Sequence, residues 1–358
     1  MVAGCFSLQL FAQSPKDAVK PIVNYEYSDS YLFKSDTPLA IKIKGDTRGL
    51  LNDRTGEPKY FSMSLSYNDK DPLEISLPVQ IKTRGHFRRL KENCYYPPLL
   101  IQFANDNKPA AVSMFPSKAK LKLVMPCKDD EFVVREWLAY KIYNLITPES
   151  FRTRLVKVTM ENEKTGKATG PFFGILIEEE NQMAKRNGLI TVNYKTKPQR
   201  ASKEGFLRMA VFEYLIGNTD WSVEFLQNIK LIAADSMAVP HVVPYDFDHA
   251  GIVNAPYALP AEELRMSSVR DRRYRGYCMS DMNEFAGTIS YFNGLKDEIY
   301  QLYNSCSLLH AQYLKSTIKY LDEFYKTIND PKELQKEFGY PCDKDGTGNV
   351  IIKGLKTD

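Results

Sequence analysis

The sequence predicts an α+β protein with two lobes, the first rich in strands and the second rich in helices. Between residues 20 and 177, apolar and polar residues alternate in several short runs, which is typical of strands with one packed face. After Glu178, apolar residues recur at helical spacing over longer stretches. The two patterns follow one another along the chain instead of alternating, which favours an α+β class.

The composition is that of a globular protein with a sizeable core. Of the 358 residues, 43% are hydrophobic and 26% are charged, so wholesale disorder is not expected. Basic and acidic residues are nearly balanced, 48 against 44, and we therefore predict no nucleic-acid partner. No apolar run approaches the roughly 20 residues that cross a bilayer, so we predict no transmembrane span.

The first residues predict export. An apolar stretch over residues 5–12 precedes Ser14-Pro15 and is similar to the end of a secretory signal peptide. Val2-Ala3-Gly4-Cys5 is also similar to a bacterial lipobox, which would place a lipid anchor on Cys5. The alternative is an ordinary frayed terminus. We expect an extracytoplasmic protein, either secreted, periplasmic or a surface lipoprotein.

Export would make the cysteines candidates for disulfides. There are six, at positions 5, 94, 127, 278, 306 and 342, and no two are spaced as a Cys-x-x-Cys zinc motif. Six cysteines allow fifteen complete pairings. Cys94 and Cys127 flank two predicted neighbouring strands, and we prefer that pair.

The first lobe is predicted over residues 20–180, after a leader at residues 1–19. Its alternating runs predict strands at residues 39–44, 63–67, 77–84, 99–103, 119–125, 155–160 and 172–177. One helix interrupts them, because apolar residues recur at helical spacing from Val134 to Ile146 before Pro148 stops the run.

The second lobe is predicted over residues 181–358. A mostly apolar helix at residues 204–216 ends at Gly217-Asn218, and a short hairpin follows at residues 229–232 and 241–243. Two long helices are predicted at residues 284–303 and 308–328. A cleft between the lobes is the default ligand site.

Three polar elements follow one another in the second lobe. Asp220 comes directly after the apolar helix, Asn228 precedes the first hairpin strand, and Asp246 and Asp248 follow the second. Asp, then Asn, then Asp is the order in which kinase-like folds orient a nucleophile and hold metal. The hairpin should bring Asn228 beside Asp246 or Asp248. The alternative is ordinary turn chemistry, in which Asp and Asn are common.

Two features depart from the usual kinase pattern. Asp220 and Asn228 are farther apart than in a standard catalytic loop, so residues 223–227 must form an insertion or an extra helical turn. The chain also lacks a His-Arg-Asp sequence.

The first lobe supplies cations. Arg84-Gly85 follows an alternating strand and would permit a tight turn near phosphate. Lys120 and Lys122 share a strand face, and the next helix carries Glu136, so a Lys–Glu pair could hold nucleotide phosphates as in kinases. A solvated strand face is the alternative.

An arginine-rich run follows the second Asp motif. It contains Arg265, Arg270, Arg272, Arg273 and Arg275. These residues could bind phosphate or an acidic substrate, or they could form a solvated charged surface.

Over residues 81–258 the chain resembles the spore-coat protein H (CotH) kinase-like family. The segments that carry the resemblance are the turn at residues 84–85, the strand at 120–124, the helix at 134–140 and the strand at 174–178. The most specific are Asn218-x-Asp220 and Pro244-Tyr245-Asp246-Phe247-Asp248, which are similar to the family's catalytic loop and its metal-binding Pro-Trp-Asp-x-Asp.

The resemblance implies a two-lobed protein-kinase-like fold and an atypical extracytoplasmic kinase that uses ATP with Mg²⁺ or Mn²⁺. It implies that Asp220 is catalytic and that Asn228, Asp246 and Asp248 are metal ligands. It also implies that Lys122 contacts phosphate and that Glu178 lies near the adenine. The chain departs from the family where Trp221-Ser222 replaces Arg-His and where Tyr245 replaces Trp. Both changes bear on acceptor handling and rate more than on nucleotide binding.

Three functional hypotheses remain from the sequence. The first is ATP- and metal-dependent phosphorylation of Ser or Thr on an envelope or surface protein. The second is a catalytically silent structural or interaction protein of the same kind. The third treats Asp246-Phe247-Asp248 as the nucleophile motif of an aspartyl-phosphate phosphatase. It is disfavoured because that chemistry normally follows an early strand of a parallel α/β sheet.

Overall fold

The computed structural model describes residues 31–68, 74–103, 113–115 and 118–344. Within these ranges the chain forms a closed β-barrel, a small antiparallel sheet and a set of helices. The predicted leader and Cys5 lie outside the described residues.

Seven strands form the barrel, and the alternating sequence pattern locates all of them. They are β1 (Leu39–Gly45), β2 (Phe61–Asn68), β3 (Glu74–Thr83), β4 (Leu99–Phe103), β5 (Lys120–Val124), β6 (Thr153–Asn162) and β7 (Ala168–Ile177). In β1 the side chains of Leu39, Ile41 and Ile43 are buried, whereas those between them are more exposed. In strands that alternate in this way, the apolar side chains therefore fill the barrel interior, whereas the last four residues of β7 are all buried.

The chain is of the α+β class, but the predicted two-lobed kinase-like fold with a sheet-based N-lobe is wrong. The strand order is β1-β2-β3-β4-β5-β7-β6, and β6 pairs with β1 in parallel from Leu39↔Val156 to Gly45↔Asn162. This pairing closes the sheet on itself. The two strands are far apart in the sequence, so local patterning gave no sign of it.

Apolar periodicity predicted the longer helices of the described residues, but not the three shortest, α1, α3 and α8. They are α1 (Thr47–Asn52), α2 (Glu131–Ile146), α3 (Glu180–Arg186), α4 (Lys203–Ile216), α5 (Ala286–Gly294), α6 (Lys296–Asn304), α7 (Ala311–Asn329) and α8 (Pro331–Phe338). The single helix predicted over residues 284–303 is divided into α5 and α6. The break falls at Gly294-Leu295, where glycine weakens the helix.

Helix α2 connects the barrel to the rest of the molecule. It contacts β6 and β7 on one side and α4 and α6 on the other, and most of its side chains are buried. Because α2 is enclosed by both parts, its buried polar side chains need hydrogen-bond or ion-pair partners.

A three-stranded antiparallel sheet carries the polar motifs. It consists of β8 (Ile190–Val192), β9 (Ile229–Ala233) and β10 (His241–Pro244), in the order β10-β9-β8. Helix α4 ends at Gly217, which has φ of +69°. A Cβ at this position would lie 2.1 Å from the Tyr320 hydroxyl oxygen, so only glycine fits. Gly217 therefore fixes where α4 ends and where the loop that carries Asp220 begins.

Two disulfides are present in the described residues. The predicted Cys94–Cys127 bond is confirmed, and a second bond joins Cys278 to Cys342. Cys306 is a free, partly buried thiol. Disulfides are typical of proteins that fold in oxidising, extracytoplasmic compartments.

Among the helices that the structure describes, none combines the length and the apolar character that crossing a membrane requires.

Candidate functional site

The loop after α4 returns to its starting point. Ser222 and Gln227 exchange two backbone hydrogen bonds of 3.0 Å each, which closes residues 223–226 into a turn. Asn228 Nδ2 then donates to the Asp220 carbonyl oxygen (2.8 Å) and to Asp220 Oδ2 (3.0 Å). The long spacing between Asp220 and Asn228 is therefore a closed loop, and the two residues are in direct contact.

The hairpin brings Asn228 beside the second Asp motif. Pro244 pairs with Ile229, and the Tyr245 N–H donates to the Asn228 carbonyl oxygen at 3.0 Å. Asn228 and Asp246 both have positive φ, +51° and +66°. Such conformations are uncommon for residues other than glycine and cluster at functional sites.

Three carboxyl groups share the space between the hairpin and α2. Asp248 and Glu136 are buried, while Asp246 keeps some exposure. Burial and the charge of Asp248 raise the pKa of Asp246 from 3.8 to about 6, and the same two causes raise the pKa of Glu136 well above its usual value. The backbone of Asp246 is held because its N–H donates to the Tyr140 hydroxyl of α2 at 2.9 Å.

Arg88 is the cation in contact with this cluster. It lies in a short 3₁₀ helix (Phe87–Arg89), and its Nη1 is 3.5 Å from Asp248 Oδ2 and 3.8 Å from Glu136 Oε2. Burial alone would lower the pKa of Arg88, but Tyr257, Asp248 and Glu136 together raise it. Arg88 therefore pairs with Asp248 and Glu136, and its charge, together with that of Arg84, partly offsets the rise in the pKa of Asp246.

Replacing Arg88 with Met should strongly destabilise the protein. The change leaves Glu136 and Asp248 buried without their cation, and removing one partner of a buried ion pair costs about 3–5 kcal/mol. Urea denaturation measures this loss. Adding Glu136→Gln to Arg88→Met should recover part of it, because one uncompensated charge disappears. Equal stability of wild type and Arg88→Met would contradict this account of the cluster.

A second group of cations lies next to Asp246. Lys122 Nζ is 4.7 Å from the centre of the Tyr245 ring and 5.9 Å from that of Phe151. Burial, with the nearby charges of Arg84 and Lys230, lowers the pKa of Lys122 to about 8. Arg84 and Lys230 are thus close enough to Lys122 to lower its pKa, and a group of cations suits a polyanion.

Arg84 is one of these cations, and Gly85 follows it in a turn. Gly85 has φ of +80°, and a Cβ there would meet no atom within 4 Å. Its backbone conformation, and not crowding, requires glycine.

The predicted Lys122–Glu136 pair is replaced by another arrangement. Glu136 lies beside Arg88, whereas Lys122 lies against Tyr245. Glu178 is buried in a separate ion pair, in which its carboxylate accepts from Arg186 Nε (3.1 Å) and Nη2 (2.9 Å). The Glu178 carboxylate is thus held by an ion pair with Arg186.

The Asp220 carboxylate has a donor on each oxygen. Gln227 Nε2 donates to Oδ1, and Asn228 donates to Oδ2. Burial raises the pKa of Asp220, with His249 and Arg275 acting in the opposite direction. The His249 ring contacts the Phe87 and Tyr257 rings, each with a centroid distance of 5.8 Å.

Sequence reasoning missed three members of the site: Arg88, Tyr140 and Tyr257. Tyr140 follows Glu136 by four residues and therefore shares its helix face, which is a signal the sequence contains. Tyr257 donates from its hydroxyl to Asp248 Oδ2 at 3.1 Å from a loop without a motif. Arg88 follows the Arg84-Gly85 turn in the sequence, and only the fold brings it to Asp248 and Glu136.

The oxygen atoms around the hairpin are of the kind that Mg²⁺ or Mn²⁺ takes as ligands. In the described residues no hydrogen-bond donor contacts the Asp246 carboxylate, and Glu136 Oε1 is buried without a hydrogen-bond partner. Within those residues no set of three or more His, Cys, Asp or Glu side chains is arranged to hold a metal. Mg²⁺ commonly takes only one or two carboxylates and completes its shell with water and substrate phosphates. Asp246, Asp248 and the Asn228 amide oxygen are the groups that would hold such an ion.

Comparisons with known proteins add no family assignment, since neither a protein-family model nor a curated protein matches this chain.

Proposed function

We propose that this protein binds ATP with Mg²⁺ or Mn²⁺ and transfers a phosphoryl group to Ser or Thr of another protein. The activity is the one implied by the resemblance to the CotH kinase-like family, but the proposal does not adopt that family's fold. It rests on the chemistry of the residues around the β9–β10 hairpin.

A single observation carries the proposal. Asp246, Asp248 and Glu136 lie together around Arg88, and burial with the charge of Asp248 raises the pKa of both Asp246 and Glu136. Carboxylates that repel one another in a buried site favour a divalent cation, which would neutralise them.

Each residue has a distinct role in the proposal. Asn228, Asp246 and Asp248 would hold the metal, which neutralises charge on the phosphates when it is bound. Lys122 and Arg84 would contact the phosphates. Asp220 would orient the acceptor hydroxyl and accept its proton. Glu136 would keep Arg88 in place, and Glu178 is assigned no contact because it binds Arg186.

Nucleotide affinity should fall as pH rises from 7 to 9. The pKa of Lys122 is lowered to about 8, so its ammonium loses its proton within this range and its attraction for phosphate disappears. Isothermal titration with ATP and Mg²⁺ at several pH values measures the change. Lys122→Arg keeps the charge and should flatten the pH dependence. An equally steep dependence in this variant would assign the titration to another group.

The acceptor is proposed to be an envelope or surface protein. The two disulfides support an extracytoplasmic location, either secreted, periplasmic or as a surface lipoprotein. The near-even charge balance gives no reason to propose a nucleic-acid partner.

The test is transfer of label from γ-³²P ATP with Mg²⁺ to an extract of envelope proteins. Acid-stable phosphoserine or phosphothreonine that requires Asp220 and Asp246 would support the proposal. Acid-labile phosphate on the protein itself would instead favour the aspartyl-phosphate chemistry. That chemistry is already disfavoured, because Asp246 follows a strand of an antiparallel sheet.

One observation favours a catalytically silent protein as the second candidate. Both oxygens of the Asp220 carboxylate accept hydrogen bonds, from Gln227 and from Asn228, and such bonds stabilise the charged form and weaken it as a proton acceptor. Under this alternative the protein binds the metal and nucleotide but transfers no phosphate. Binding without transfer to any acceptor would select it.

A further inference from the structure

Most of the arginine-rich run after the hairpin is turned inward, although Arg265 is exposed. Arg270 donates to the Gly251 carbonyl oxygen at 3.0 Å, and Arg272 donates to those of Leu215 (3.1 Å) and Tyr320 (2.6 Å). These contacts differ from both sequence interpretations, a phosphate-binding patch and a solvated charged surface. The guanidinium groups instead satisfy backbone carbonyl groups inside the helical part.

Arg275 makes the contacts that concern the candidate site. Its Nη1 donates to the carbonyl oxygen of Thr219 and to that of Trp221, the latter at 3.0 Å. These carbonyl groups belong to the residues immediately before and after Asp220. The guanidinium also lies 5.6 Å from the centre of the Trp221 ring.

The remaining bonds around Asp220 hold its other groups. Its backbone N–H donates to Asn218 Oδ1 at 3.1 Å, and its carboxylate accepts from Gln227 and Asn228. Arg275 is therefore the group that fixes the peptide units on either side. Without it, the Thr219 and Trp221 carbonyl groups would lose a charged donor in a largely buried loop.

We propose that Arg275 is a positioning residue for Asp220, which holds the two flanking carbonyl groups so that the carboxylate faces the acceptor. The inference rests on the proposed function for its catalytic consequence. A displacement of about 1 Å at a catalytic group can reduce a rate about 100-fold. Nucleotide binding depends on other residues and should be unaffected.

The test compares Arg275→Gln, Arg275→Lys and Arg273→Gln in the full chain. Arg273 is the matched control, because it lies in the same segment but donates to the Leu264 carbonyl oxygen and to the Tyr340 hydroxyl. Arg275→Gln should lower kcat for phosphoryl transfer about 10- to 100-fold with KM for ATP unchanged. Arg275→Lys keeps a cationic donor and should recover most of the rate, and Arg273→Gln should keep the wild-type kcat.

A second measurement does not depend on catalysis. Hydrogen exchange of the amides in residues 218–222 should become faster in Arg275→Gln and stay unchanged in Arg273→Gln. If the wild type transfers no phosphate, the proposed function fails while the exchange result still decides whether Arg275 holds this loop. Unchanged exchange in Arg275→Gln, or an equal loss of kcat in Arg273→Gln, would overturn the inference.

Discussion

Replacing Asp220 with Asn should reduce the rate of phosphoryl transfer about 1,000-fold while leaving ATP affinity nearly unchanged. Asn is close to Asp in shape but cannot accept a proton, and loss of a general base typically costs between 100- and 10,000-fold. Asp220 contacts Asn228 through its own carbonyl group as well as its carboxylate, so the loop keeps one of these bonds in the variant. Single-turnover transfer to an acceptor and calorimetric titration with ATP and Mg²⁺ measure the two quantities separately.

The control for this experiment is Asp129→Asn. Asp129 is exposed just before α2, far in the sequence from the Asp220 loop, and its loss should change neither quantity. If wild type and Asp220→Asn transferred phosphate at the same rate, Asp220 would not be the catalytic residue. If neither transferred phosphate and both bound ATP, the catalytically silent alternative would be correct.

Replacing Asp246 with Asn should stabilise the metal-free protein by about 2 kcal/mol at pH 8. The pKa of Asp246 is raised from 3.8 to about 6, a difference that corresponds to about 3 kcal/mol. Because the folded state favours the protonated form, the stabilising contribution of this carboxyl group is complete below pH 3.8. It is lost as pH rises through about 6. Asn stays neutral, and asparagine tolerates the positive φ at this position.

Urea denaturation in EDTA at pH 8 and at pH 5 measures this gain. The advantage of Asn over Asp should be largest at pH 8 and smaller at pH 5, where the native carboxyl group is mostly protonated. A variant that is more stable but inactive is the pattern expected at a site where function conflicts with stability. Destabilisation by Asn at pH 8 would show that Asp246 has a compensating partner and would remove the main argument for a cation.

The strand pattern was readable from the sequence, but barrel closure was not. In β1, Leu39, Ile41 and Ile43 predict a strand face because side chains alternate across a strand. Closure depends on β1 pairing with β6, and no local pattern distinguishes an edge strand from a paired one. The two-lobed kinase-like architecture failed at this point, although the α+β class did not.

The sequence likewise predicted some features of the candidate site and not others. The order of Asp220, Asn228 and Asp246 along the chain predicted their proximity because a hairpin joins the last two. The partner of Glu136 was not predictable, since Arg88 and Lys122 are both plausible cations and only the tertiary fold brings Arg88 to it. The sequence predicted that Arg275 is a surface or phosphate-binding group. It does not reveal which backbone carbonyl groups the guanidinium meets in the fold.

The most direct test of the account is the melting temperature of the protein with ATP alone, Mg²⁺ alone, and both together. A ligand present at 100 times its Kd stabilises the folded state by about 2.7 kcal/mol, which is a shift of several degrees. The account predicts a large shift only when ATP and Mg²⁺ are both present, and its loss in Asp246→Asn. An equal shift with ATP in EDTA, or no shift under any condition, would contradict a metal–nucleotide site at Asn228, Asp246 and Asp248.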